Sequence, residues 1–458
     1  MQTAKIANSA INQRFRMRII ACGDLLFSSR NLAKRLDPNI IELLKNADAV
    51  FANAEFSCPQ PDLPPAAGRG YITAVKPATL DEFVDLNIRL VSFANNHTGD
   101  FGWEGVVQTM EAADARNLIP CGLGRNLDDA RLPRFLDTAK GRVGVVALGS
   151  TRSEVFLAAN GGAGTVPRPG LNPLRWGRAY VLADEQFEQL KNITRSLGID
   201  ESVREGMRVE VMADKGDDEF KFGSLFESSL QIERGETTHV RTWFNEQDCE
   251  ANERSIRDAA NRSDFTLVSL HTHEGAKDSW YSPDAPEFVE LFAHRAIDAG
   301  ADAVVCHGAH FMRGVEIYNG KPVFYNLGSL LMEFEAGESI IGPEMYEAYG
   351  HAANARPSEL HRARAKNTAG EFTGFNAEAR FSQNALAIFD ITAEGLACQI
   401  LPIDLGMNRE RALSRGLPQT VTHAQGEEIA ELLTRLSQRY GTRFNYDKAS
   451  GNIQFSAA

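Results

Sequence analysis

Short apolar runs of strand length alternate with helical stretches through the first 150 residues. Residues 17–22 (MRIIAC), 47–52 (ADAVFA), 89–94 (RLVSFA), 118–123 and 142–148 are nearly continuous apolar runs, each stopped by turn-forming or polar residues. Runs of that length predict strands buried on both faces. Between them, 31–46 (with a break at Pro38), 77–85 (opened by Pro77) and 103–117 carry helical periodicity. The alternation predicts a largely βαβ architecture, an α/β fold. The rhythm breaks over 151–262. Residues 161–172 are rich in Gly and Pro and read as a loop, 183–197 as a helix, and 214–219 as a charged turn. The core pattern resumes with a strand over 264–270, a helix from about Pro286 to Gly300 capped by Asp284, and a strand over 301–306. Residues 314–318 and 322–327 flank Asn319-Gly320, a hairpin signal. A polar stretch over 333–382 precedes two closing strands, 385–391 and 397–401, and an amphipathic helix over 427–440.

The expected organisation is therefore one α/β domain over 17–403. Residues 151–262 form an insertion or lid, and 404–458 a C-terminal helical extension. The 458 residues are 43% hydrophobic and 24% charged, an ordinary water-soluble profile. A net charge of −13 argues against extended nucleic-acid contact, which needs basic patches. It does not bar an anionic substrate from a site that holds metal ions. No run reaches the roughly 18 apolar residues of a membrane span. Residues 1–16 lack the apolar stretch of a secretory signal, so a cytoplasmic protein is expected. The six cysteines are dispersed without a CxxC pair and read as buried thiols.

The chemistry gathers where the strands end. Asp24 follows Gly23, Glu55 follows Asn53-Ala54, Asn96 and His97 follow 89–94, His271 and His273 follow 264–270, and His307 and His310 follow 301–306. Each has a plain structural reading taken singly. An Asp after a glycine is most often a turn residue, Asn side chains commonly satisfy loop backbone, and a lone His is most often part of the packing. Together they are harder to dismiss, because four of the chain's ten histidines fall into two clusters at strand ends. Carboxylates, an amide oxygen and imidazoles make a borderline-hard ligand set suited to divalent Mn, Fe, Zn, Mg or Ca. Two such ions about 3.5–4 Å apart activate water for attack. Gly308 between His307 and His310 allows a turn that lets both rings converge. Dinucleotide, P-loop and GxSxG motifs are absent, and Gly122-Leu123-Gly124 reads as a turn. The rigid loop 168–175 carries Arg168 and Arg175, read as an anion-binding lip over the site.

The order GD, NAE, ANNHTGDFG, HTHE, CHGAH and RGVEIYNGKPVFYNLGS resembles the CapA-type proteins of poly-gamma-glutamate and capsule biosynthesis, within the calcineurin-like metallophosphoesterase superfamily. The resemblance spans roughly 17–330, with a further piece at 385–403. It implies a four-layer αββα sandwich of metallophosphatase type with two divalent metal ions at the strand ends. It implies Asp24, Glu55, Asn96, His271, His307 and His310 as ligands, Glu55 bridging the ions, His97 as catalytic imidazole and Asp100 as its orienting partner. The chain departs from the pattern at Leu26, where the superfamily has His, at His271-Thr272-His273 in place of His-Trp-Gly, and at Gly328-Ser329 in place of Gly-Asn.

Three functions follow as expectations. The first is metal-dependent hydrolysis of a phosphoester or glutamyl-type amide, with His97 protonating the leaving group. The second is peptide epimerisation, with His97 or His273 as the base that removes an alpha proton. The third is a non-catalytic accessory role in polymer synthesis. The expected partner is a small-molecule or peptide substrate, anionic if the 168–175 loop contributes; the sequence carries no sign of oligomeric state.

Overall fold

In the computed structural model, which describes residues 17–67, 71–210, 216–223, 229–337 and 339–457, the first apolar run does not stop at Gly23. It continues as strand β1, Met17–Ser28. The first half of β1 pairs antiparallel with Gln383–Thr392 and parallel with β2, Ala49–Ala54. β3, Leu90–Ser92, and then Ile119–Cys121 extend the same sheet. The second sheet runs in the order Val315–Tyr318, Lys321–Phe324, β6, β5, β4, Arg134–Thr138. Here β4 is Gly141–Gly149, β5 is Phe265–Thr272 and β6 is Ala303–Gly308. β7, Ser329–Gly337, returns to the first sheet and pairs parallel with the second half of β1.

Alternation along these strands builds the layers. Ile19 and Ala21 of β1 and Phe51 of β2 point between the sheets and meet Val143, Val145, Leu267 and Val305. Their neighbours Ile20, Cys22, Val50 and Ala52 point outward onto α1, Pro38–Asn46, and α2, Gly102–Asp114. On the opposite surface Val146, Leu148, Val268, Leu270 and Val304 pack against α3, Glu246–Arg262, and α4, Glu287–Asp298. The result is a four-layer αββα sandwich.

Some elements differ from the sequence expectation. The helix over 31–46 is two pieces: a short turn at Leu32–Lys34, then α1 with Pro38 in its first turn. Within 151–262, Trp176–Ala183, Glu219–Phe222, Leu230–Gly235 and His239–Phe244 form a separate four-stranded sheet, while α3 belongs to the main sandwich. The strands escaped notice because arginines and glutamates interrupt their apolar alternation. The polar stretch over 333–382 holds α5, Pro357–Ala365. The C-terminal segment is more than a helix. After α6, His423–Leu436, a hairpin of Thr442–Asp447 and Asn452–Ala457 adds to the first sheet through Gly395–Asp404. Its half-exposed six-residue strands give only a faint period of two. The Asn319-Gly320 turn forms with both residues at positive φ, 49° and 76°, and all six cysteines are free thiols. Among the described residues no helix is long and apolar enough to cross a membrane. Residues 1–16, and 214–215 of the charged turn, lie outside the described residues.

β1 changes partners at a register shift between Ala21 and Asp24. A Cβ on Gly23 would sit 1.9 Å from the carbonyl oxygen of Gly328, which also accepts a bond from Asp24 N at 3.0 Å. Such bulges commonly re-aim a side chain beside an active site. Gly23→Ala is expected to destabilise the protein by about 3 kcal/mol in denaturant titrations, the upper end of overpacking costs. Gly162→Ala, at an open surface position, is expected to stay within about 0.5 kcal/mol.

Candidate metal centre and active site

The parallel ends of both sheets deliver the candidate ligands to one place. β5 and β6 run in register with His271 opposite His307, and odd-numbered positions on both strands face the gap between the sheets. Asp24 reaches the same gap from β1, where its register partner on β2 is Asn53. All three side chains are fully buried. Asp24 Oδ1 lies 3.2 Å from His307 Nδ1 and 3.6 Å from His271 Nδ1, and accepts a bond from Asn53 Nδ2 at 2.9 Å. Asp24 Oδ2 lies 3.2 Å from His310 Nδ1 and accepts the Gly308 backbone N–H at 2.8 Å. The turn that lets His307 and His310 converge on one carboxylate requires φ of 122° at Gly308 and 63° at His310. Positive φ at a histidine is strain of the kind concentrated at functional sites.

A second group of ligand atoms adjoins the first. Glu55 Oε1 lies 3.3 Å from His273 Nε2 and 3.8 Å from His271 Nε2, and Glu55 Oε2 lies 3.6 Å from His310 Nδ1. Asp24, His271 and His307 form one cluster with ligand atoms within 4.8 Å of one another, and Glu55, His273 and His310 form another. His273 is thus brought among the candidate ligands. Leu26 lines the pocket wall where the superfamily has an imidazole, and the Glu55 group draws on His273 instead. Asn96 Oδ1 lies 2.7 Å from His271 Nε2. Asp24, with Oδ2 toward His310 and Oδ1 toward His307, spans both groups as much as Glu55 does.

The electrostatics fit a cation pair. Burial would raise the Asp24 carboxyl, but bonds from His271, His307 and His310 hold it well below the usual range. Glu55 is pushed well above its usual range by burial and by the charges of Asp24 and Asp100. Burial lowers His271 to about 4 against the pull of Asp24, and burial with the nearby imidazoles lowers His273 further from its usual value. Both rings are therefore neutral near pH 7, as metal ligands must be. Glu55 Oε2 is buried with no hydrogen-bond partner among the described residues. Two carboxylates, four imidazoles and an amide oxygen, with one carboxylate oxygen unsatisfied, suit a pair of divalent ions.

His97 stands outside both ligand groups. Its Nδ1 lies 2.6 Å from Asp100 Oδ2, which also accepts the Thr73 N–H at 2.9 Å. Asn95 fixes the loop: its side chain donates to the Ala54 carbonyl at 2.8 Å and accepts the His97 N–H at 3.0 Å. His97, Asn96, Glu55, His273 and His310 border a cavity of about 160 Å³. The cations on its wall are Arg152 and Arg364. Arg168 and Arg175 do not line it: Arg168 is exposed and bonds the Leu157 carbonyl, and Arg175 makes a two-point bond with buried Asp248. Arg152 sits just past the end of β4, so the strand-end rule that found the ligands also applied to it; its φ is 56°. Arg364, on α5, had no such signal. Asn53 and Arg313 were also missed. Arg313 is fully buried and donates to the carbonyls of Glu274, His273, Trp280 and Ser282 at 2.7–3.2 Å, fixing the loop that carries His273.

The family model for the bacterial capsule synthesis protein PGA_cap matches residues 18–333. The chain belongs to that family. An uncharacterized protein of Sinorhizobium fredii, y4sH, is 29% identical over 448 residues, covering 95% of this chain and 92% of its own. A probable polyglutamine synthesis accessory protein of Mycobacterium tuberculosis is 25% identical over 297 residues, 64% of this chain and 55% of that one. Among solved structures, a phosphatase of Mycoplasma pneumoniae is 10% identical with a TM-score of 0.37, covering 85% of this chain and 94% of its own. In this PGA_cap chain the match takes in every candidate ligand from Asp24 to His310.

Metal content per chain by plasma mass spectrometry checks the ligand assignment. Asp24→Asn and His307→Ala are each expected to lower occupancy by at least about half, because each removes a ligand. His97→Ala is expected to keep it. Full occupancy in both ligand variants would remove Asp24 and His307 from the ligand set.

Proposed function

We propose that this PGA_cap protein is a metal-dependent hydrolase that cleaves a phosphoester or a glutamyl-type amide in an anionic substrate. The observation that carries this reading is the His97–Asp100 pair, bordering the same cavity as the two ligand groups while belonging to neither. Asp24, His271 and His307 would hold one ion and Glu55, His273 and His310 the other, with Asn96 beside His271. Bound there, divalent ions supply Lewis acidity and lower the pKa of water.

The chain's own residues do the rest. Asp100 fixes the tautomer and ring plane of His97 by taking the Nδ1 proton in a hydrogen bond, which leaves Nε2 to exchange a proton with substrate. With Nε2 also protonated, His97 gives that proton to the departing oxygen or nitrogen as the water oxygen bonds to phosphorus or carbonyl carbon; the proton the water sheds passes to solvent, from which His97 is reprotonated. Arg152 and Arg364 both line the cavity and orient an anionic group. The placement of His273 with Glu55 and His310 supports a ligand role for it and leaves His97 as the base an epimerase would use. The accessory reading keeps one specific support, the name of the mycobacterial relative.

The test is turnover of p-nitrophenyl phosphate, bis-p-nitrophenyl phosphate and γ-glutamyl-p-nitroanilide by protein loaded with Mn or Zn. Cleavage of at least one class is expected, lost on chelation and restored by metal. His97→Ala should lose about 10²–10⁴-fold in kcat with its metal retained. A fully loaded protein that cleaves none of them would favour the accessory role, and solvent deuterium incorporation into a peptide without cleavage would favour epimerisation.

A second expectation concerns the cations. Arg152→Ala and Arg364→Gln should each raise KM about tenfold with kcat nearly unchanged, the pattern of lost uniform binding. Arg168→Ala should leave KM as it was.

A further inference from the structure

The cavity at the metal centre is small. Its volume of about 160 Å³ falls below the roughly 300–1,000 Å³ typical of pockets that enclose a small-molecule ligand. A second cavity of about 330 Å³ adjoins it, and the two share Tyr281, Arg364 and Phe375 on their walls. Together they reach the usual range.

The chemistry of the annex differs from that of the metal centre. Tyr281, Tyr349, Phe375, Met332 and Met407 supply rings and thioethers, and no carboxylate lines it among the described residues. Aromatic faces and polarizable sulfur suit a planar ring. The junction is held in place from both sides. Phe375 packs edge-on against His310 with ring centroids 5.6 Å apart. Arg364 bonds Tyr71 Oη at 2.9 Å, and its guanidinium lies 4.6 Å from the Tyr71 ring and 5.7 Å from the Tyr349 ring. Tyr71 in turn meets His97 edge-on at 5.7 Å. A positioned cation thus stands at the neck between the metal centre and the aromatic annex.

We propose that the annex is a second substrate subsite that takes an aromatic group joined to the anionic, reacting end of the substrate, with Arg364 at the neck setting that order. The inference rests on the hydrolase reading of the metal centre. It adds that the substrate is a two-part molecule, with an anionic head over Asp24 and Glu55 and an aryl tail beyond Arg364.

Calorimetric titration of the Mn-loaded full chain with two non-hydrolysable probes, butylphosphonate and 4-phenylbutylphosphonate, tests it. The phenyl probe is expected to bind about tenfold tighter or more, the gain that burial of a ring brings. Ala363 lines the annex from α5 and is solvent-exposed, so a larger side chain there fills the cavity without entering the core. Ala363→Trp should cut the affinity ratio to below about threefold, and Ala363→Leu to an intermediate value, with metal content and circular dichroism unchanged. Equal binding of the two probes by the parent would overturn the annex while leaving the metal-centre reading intact. A ratio untouched by both substitutions would place the ring elsewhere and also overturn it. Failure of both phosphonates to bind would instead sink the anion-binding reading, and the annex with it.

Discussion

A buried carboxylate survives as an anion only if donors or cations surround it, and the architecture around Asp24 meets that demand from every side. Asn53 arrives from β2, the Gly308 N–H and His307 from the end of β6, His271 from β5 and His310 from the turn beyond. These groups come from both sheets. The close approach of the two strand ends is thus what creates the site, and the Gly23–Gly328 contact permits β1 to turn its Asp into that gap. If β1 ended where its apolar run ends, Asp24 would be a surface turn residue.

The groups behind the candidate ligands are held as firmly as those side chains themselves. Ser269 Oγ lies 2.7 Å from His307 Nε2 and fixes that ring from behind. Glu274 accepts bonds from Ser150, Thr151 and Thr272 at 2.7–2.8 Å, and Arg313 ties the carbonyls around it. The loop with His273 and Trp280 is also joined to the four-stranded insertion, through Arg178 and Asp278 at 2.9 Å. A metal site tolerates little displacement of its ligands, and outer partners of this kind set ligand orientation. Ser329, at the place of the family's Asn, still puts its Oγ 3.4 Å from His310 Nδ1.

What could be read from the chain followed from strand length and strand ends. Apolar runs such as 264–270 and 301–306 are visible without tertiary knowledge, and their register then sets His271 beside His307. The convergence of His307 and His310 was legible because Gly308 stands between them. What stayed hidden depended on pairing across long sequence distance. β1 extends to Ser28 only because β7, three hundred residues on, supplies its second partner. Arg364 reaches the pocket from a helix inside a polar stretch whose pattern names no face, and Asn53 counted as loop until β1 and β2 were laid side by side. Arg168 and Arg175, expected at the site, stand off the cavity wall for a different reason. A cation-bearing loop in sequence says nothing about which anion is nearest, and for Arg175 that anion is Asp248 of the same protein.

A structural metal site is closed, with every coordination position filled by protein, whereas a catalytic one keeps a face open to substrate. The ligand groups here are buried, yet Glu55, His273 and His310 also border a cavity walled by Leu26, Trp280 and Ala309. A metal ion held by those three side chains would keep a face open to the cavity. Glu55 sharpens the point: its carboxyl resists ionisation because it is buried and because Asp24 and Asp100 are near, and one of its oxygens has no hydrogen-bond donor among the described residues. A fold gains nothing in stability from such a group by itself. A cation between Asp24 and Glu55 would remove the repulsion and satisfy the oxygen at once, at the spot where His97 can reach a bound molecule.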